Sequence, residues 1–186
     1  MKTEIKIDRE TLACEVWPKG LARRGLDCPD CQKLAWYFAD RKRMSAKKGI
    51  FLYGPTGTGK TTIMKVFSDH FRIPWFWTIW ITNDFLKYEA GDWYSWFCLN
   101  FGDREIIIDD LGAEADVKKY GNEGIMRDII SFREQAYQEK GVLTHFTSNL
   151  GSEREISERY GDRIASRIIG MCDIVMLTGN DRRRGK

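Results

Sequence analysis

The run GPTGTGKTT, from Gly54 to Thr62, has the residue types and spacing to grip a chain of phosphates. Gly54, Gly57 and Gly59 let the backbone turn tightly and aim successive N–H groups at one anion. Pro55, Thr56 and Thr58 complete the turn, and Thr62 closes the binding segment. Lys60 brings a cation to where the β- and γ-phosphates of a nucleotide would lie, and Thr61 offers a hydroxyl to Mg²⁺. An apolar run precedes the segment and a helical pattern follows it, so the phosphates would meet a helix N-terminus and its positive dipole. A Mg-nucleotide, with ATP the expected one, is the ligand this arrangement predicts.

Two further segments hold chemistry. EIIIDDLGAE reaches Asp109 49 positions after Lys60 and reads as a buried strand whose end meets the metal. Asp109 is the candidate metal carboxylate, acting through water because Mg²⁺ keeps much of its hydration. Asp110 and Glu114 are candidates to orient or deprotonate an attacking water. VLTHFTSNL reads as another strand, and Asn149 at its end is placed to hydrogen-bond the γ-phosphate or that water. Ser-Asn is also ordinary turn chemistry. In SEREISERYGDRIASRI, Arg163 and Arg167 stand four apart on one helix face. In an oligomer one of them could reach a neighbour's γ-phosphate; alternatively they pair on the surface with Glu158 and Asp162.

These residues need a scaffold. Five strand-sized apolar runs stand out: Ile50–Tyr53, Trp75–Ile81, Ile106–Asp109, Val142–Ser148 and Ile174–Leu177. Helical spacing lies between them, over Lys60–Phe71 and Gly124–Glu139. The alternation predicts βαβ units and a five-stranded parallel sheet in a three-layer αβα sandwich, the P-loop NTPase class. Residues 1–47 do not fit the alternation and read as a basic N-terminal extension, with a short helix over Cys31–Lys42, before a nucleotide-binding domain spanning 48–186. Of the aromatics, Trp75, Phe76, Trp77 and Trp80 read as core. Trp93, Tyr94, Trp96 and Phe97 read as core or as a stacking surface for single-stranded bases.

Composition bounds the class. With 186 residues, 42% hydrophobic and 31% charged, the chain is expected to be soluble and globular. No apolar stretch reaches the roughly 18–20 residues of a membrane helix. The first residues, MKTEIKIDRETLA, lack a signal core, and five cysteines, an odd number, argue for a reducing cytoplasm. Pro18–Lys48 carries nine Lys/Arg against three Asp/Glu, and the tail Arg182, Arg183, Arg184, Lys186 is basic. Such patches attract phosphate backbones or simply solvate a surface. Cys28 and Cys31 have metal-ligand spacing with Cys14 upstream, but a structural zinc needs four ligands.

Taken together, GPTGTGKTT, ITNDFL, IIIDDLGAE, TSN, YGDRIASRI and LTGNDRR, in that order, resemble the AAA+ ATPases of the DnaC type, bacterial helicase loaders, and the IstB-type transposition helpers. The likeness runs from about Gly49 to Arg182 and implies strand order 5-1-4-3-2 without a helical lid. It implies that Asn149 is a sensor residue and that Arg163 or Arg167 is an arginine finger acting in trans. Arg182 matches the arginine of the family's G-x-x-R ending. Asp110 stands where many AAA+ proteins carry Glu, which implies slow hydrolysis. The implied partners are further copies of the chain, a replicative helicase or a transposase, and single-stranded DNA. A nucleotide-dependent adaptor and a small-molecule P-loop kinase are the alternatives.

Overall fold

A computed structural model describes residues 19, 21, 31–42, 46–87, 90–115, 124–179 and 181. Cys14, Cys28 and the basic tail from Arg182 lie outside these residues, as does the side chain of Cys31, and with them the zinc and tail expectations.

Five strands form one parallel sheet: β1 (Gly49–Tyr53), β2 (Trp75–Trp77), β3 (Ile106–Leu111), β4 (Thr144–Ser148) and β5 (Cys172–Met176). Their order is β2-β3-β4-β1-β5, the expected 5-1-4-3-2 read from the other edge. β1 lies between β4 and β5 and approaches β4 closely. A Cβ at Gly49 would lie 1.8 Å from the Thr144 carbonyl oxygen, so only glycine fits. The helices are α1 (Cys31–Lys42), α2 (Lys60–Phe71), α3 (Thr78–Lys87), α4 (Ala90–Phe101), α5 (Ile125–Lys140), α6 (Glu153–Tyr160) and α7 (Asp162–Met171).

The strand period of two sorts the core into two layers. Ile50, Leu52 and Ile107 face α1 and α2, where Leu34, Phe38, Ile63, Met64 and Phe67 are buried with them. Phe38 stacks on Phe67 with ring centroids 4.8 Å apart, so the described helix of the N-terminal region packs into the same core as the phosphate loop's helix. Burial of one such side chain contributes about 1.5–3 kcal/mol. Phe51, Ile106, Ile108 and Phe146 face the other way, onto α3 to α7. The result is the expected three-layer αβα sandwich with a five-stranded parallel sheet.

Two strands are shorter than the sequence suggests: β4 begins at Thr144 rather than Val142, and β2 is cut back further. The run Trp75–Ile81 is strand only to Trp77, and Thr78 opens α3. A short apolar run does not by itself distinguish strand from buried helix. Here Ile81, Thr82 and Phe85 form the buried face of α3. That turns Trp80 outward, and it is 59% exposed rather than core. In α4, Trp93 and Phe97 are buried and stacked, whereas Trp96 is exposed.

Candidate functional site

β1 ends at Tyr53 and the chain turns through Gly54–Gly59 into α2. Gly57 and Gly59 take φ of 83° and 101°, a left-handed backbone that favours glycine. Gly59 caps α2 without a side-chain hydrogen bond, so the first helical N–H groups have no cap side chain over them. Thr58 Oγ1 donates to the Pro55 carbonyl at 2.9 Å and closes the turn. Lys60 is buried, and its ammonium donates to the carbonyls of Gly54 (2.7 Å) and Pro55 (2.9 Å) and to Asn149 Oδ1 (2.9 Å).

β3 brings the acidic pair beside this loop. Asp109 is fully buried. Its Oδ1 accepts hydrogen bonds from Thr147 Oγ1 (2.6 Å) and Thr61 Oγ1 (3.2 Å), and its Oδ2 accepts from the Trp77 indole N–H (2.7 Å). Burial pushes this carboxyl above the usual carboxylate range, and the three donors and the neighbouring Asp110 act in opposite directions on it, the donors lowering and Asp110 raising. All three donors are neutral. A cation is therefore the complementary ligand, and Mg²⁺ suits one carboxylate, one hydroxyl and substrate phosphates.

Asp110 sits at a bulge in the β3–β4 pairing with φ of 62°, in the left-handed region that aspartate tolerates better than most residues. Its N–H donates to Thr147 Oγ1 (2.8 Å) and its carbonyl accepts from Thr78 Oγ1 (2.9 Å). Asn149 Nδ2 donates to Asp110 Oδ1 at 2.9 Å. One chain of hydrogen bonds thus runs from Lys60 through Asn149 to Asp110, and a second from Thr61 to Asp109.

No protein-family model matches the chain, and no curated protein matches its sequence. Solved structures do match. The helicase loader DnaC aligns over 82% of this chain and 92% of its own, with TM-score 0.58 and 18% identity. DnaI aligns over 94% and 96%, with TM-score 0.67 and 20% identity. The fold is that of DnaC and DnaI. A candidate primosome component from Streptococcus pyogenes serotype M3 is also similar, over 85% of each chain, with TM-score 0.61 and 19% identity.

Within this DnaC-like fold the structure brings Lys60, Thr61, Asp109, Asp110 and Asn149 together, with Thr56 Oγ1 also 3.5 Å from Asn149 Oδ1. It does not bring in Glu114. That carboxylate is buried and accepts from the Tyr160 hydroxyl and from the Gly112 N–H (3.0 Å), with Arg159 3.8 Å away. Glu114 therefore fastens the turn after β3 to α6. Arg163 and Arg167 lie on α7, beyond a break at Gly161. Arg163 is exposed. Arg167 donates to Ser131 Oγ and lies 3.7 Å from Glu134, both on α5. The expected partners on their own face are engaged elsewhere: Glu158 with Arg154, and Asp162 with Ser157.

Two contacts at the site escaped the sequence. Trp77 read as core, because only the register that pairs it with Asp109 reveals its second role. Asp181, near the end of the chain, lies against the phosphate loop: a Cβ on Gly57 would come 1.9 Å from its Oδ1. No local pattern marks either contact. Among the described residues no helix is long and apolar enough to cross a membrane.

Proposed function

We propose that this chain binds Mg-ATP at Gly54–Thr62, hydrolyses it slowly, and uses the nucleotide to control its assembly with further copies and a DNA-replication partner. The observation that carries the reading is the convergence of Lys60, Thr61, Asp109, Asp110 and Asn149 on one end of the central strands, linked by hydrogen bonds of 2.9–3.2 Å. An incoming phosphate would compete for the Lys60 ammonium and for the uncapped N–H groups of α2. Thr61 and Asp109 would hold Mg²⁺, the latter through water. The ion would supply charge neutralisation on the phosphates. Asn149, poised between Lys60 and Asp110, would position the attacking water. Asp110 takes the place of a glutamate base with a side chain one methylene shorter, consistent with slow turnover.

An arginine acting on a neighbouring copy must leave its own surface. Exposed Arg163 meets that condition, whereas Arg167 is held by Ser131 and Glu134. We therefore assign the finger to Arg163. The fold likeness to the helicase loader DnaC favours a replicative helicase as partner. The exposed aromatic side chains of α3 and α4 would suit single-stranded DNA.

Light scattering and ATP turnover, each with and without single-stranded DNA and a replicative helicase, test the reading. The expected result is assembly driven by a non-hydrolysable ATP analogue. Arg163→Ala should then keep ATP affinity and lose turnover. A chain that binds ATP yet stays monomeric under all conditions would overturn the assembly proposal and leave a nucleotide-dependent adaptor.

A further inference from the structure

We infer that Trp77 is a positioning residue for the metal carboxylate, holding Asp109 in the orientation that receives Mg²⁺. Trp77 and Asp109 are register partners on adjacent parallel strands, so their side chains leave the sheet on the same face. The indole N–H meets Asp109 Oδ2 at 2.7 Å. An indole can only donate, so this contact has one polarity and cannot invert when the carboxylate rotates. Thr61 and Thr147 both address Oδ1. Among the described residues Trp77 alone fixes Oδ2, and without it the carboxylate could turn about its last bond and exchange its oxygens.

The placement of the ring supports the same reading. Among the described strands Trp77 lies on the edge strand β2, and it is 36% exposed, so packing alone does not account for a tryptophan here. Its single polar atom points away from solvent and onto a fully buried carboxylate. The ring is braced by Trp75 (centroids 5.3 Å apart) and by Trp80 (4.9 Å), which limits its freedom to swing out. A donor that orients a metal carboxylate commonly changes metal affinity by about 10–100-fold when it is lost.

This inference rests on the reading of Thr61 and Asp109 as the Mg²⁺ site, and binding measurements separate the two. A fluorescent ATP analogue is titrated onto the full chain in EDTA and then across a Mg²⁺ series at pH 8. For Trp77→Phe, the Mg²⁺ midpoint should rise about tenfold or more while affinity in EDTA stays at the native value. Trp77→His can place an imidazole N–H at the corresponding ring position and should bring the midpoint back towards native. Trp80→Phe, which alters the brace without touching Asp109, should move it far less. A native midpoint in Trp77→Phe would overturn the inference. So would equal shifts in Trp77→Phe, Trp77→His and Trp80→Phe, which would mark loss of packing. Absence of any Mg²⁺-dependent binding in the native chain would overturn the reading of Thr61 and Asp109 as the Mg²⁺ site, and this inference with it, while affinity in EDTA would still report on the phosphate loop.

Discussion

Arg133 carries the strongest stability prediction. It is fully buried on α5, yet its guanidinium meets only oxygen atoms. Nε donates to Thr144 Oγ1 (2.8 Å), and the two terminal nitrogens reach the carbonyls of Phe101, Gly102 (3.5 Å), Arg104 (2.8 Å) and Leu143 (3.0 Å). Burial pushes the group down to about 10, which leaves it a cation at neutral pH. These acceptors belong to the turn before β3 and the start of β4, so one side chain fixes the roots of the two strands that present Asp109 and Asn149. Arg133→Leu removes every donor of the guanidinium; the Phe101 and Leu143 carbonyls keep one backbone partner each, the N–H groups of Arg104 and Ile106, while the Gly102 carbonyl and Thr144 Oγ1 lose the guanidinium's donors. At about 1–3 kcal/mol for each polar group left short of a donor, the loss comes to roughly 3–5 kcal/mol, a large share of a domain's roughly 5–15 kcal/mol. At about 2–4 °C per kcal/mol for a chain of this size, Tm should fall by roughly 6–20 °C. Arg133→Lys keeps the charge but not the planar fork, and should lose an intermediate amount. Urea denaturation followed by circular dichroism gives the change directly. A loss below about 1 kcal/mol in Arg133→Leu would refute the claim that this network anchors the strands.

Two further outcomes follow from the same geometry. Burial and the adjacent Glu114 carboxylate raise the Tyr160 phenol far above its ordinary value of 10. A folded pKa above the unfolded one stabilises fully below pH 10 and is lost as pH rises further. Phenolate absorbance from Tyr160 should therefore appear only with alkaline unfolding, and Tyr160→Phe should flatten the fall in stability above pH 10; a Tyr160 signal in the folded protein near pH 10 would refute this. At the site, Asn149→Ala removes both the acceptor for Lys60 and the donor to Asp110. Turnover should fall on the order of 10–100-fold while KM for ATP changes only a few-fold, which steady-state kinetics would show; unchanged turnover would remove Asn149 from the reaction.

The sequence was most legible where local chemistry dictates structure. GPTGTGKTT can do little but turn between a strand and a helix, and IIIDD and THFTSN carry their polar residues at the strand ends where the structure has them. Alternating apolar runs were enough for the parallel sandwich. What stayed hidden depends on pairing across the fold. Trp75–Ile81 is apolar throughout, and only the buried face of α3 shows that the strand stops at Trp77. Arg133 sits on the apolar face of α5 and reads as an interruption until the five surrounding oxygens are in view. Glu114 lies four residues past Asp110 and read as a catalytic candidate, yet Tyr160, 46 residues later, takes its carboxylate.

The central claim is that Gly54–Thr62 binds nucleotide phosphate through Lys60. Titration calorimetry of Mg-ATP onto the native chain and onto Lys60→Ala tests it most directly. Losing one charged partner of a buried contact costs about 2–5 kcal/mol, so affinity should drop on the order of 30-fold to several thousand-fold, with the fold unchanged by circular dichroism. Lys60→Ala binding Mg-ATP within a few-fold of native, or a native chain that binds none, would contradict the account.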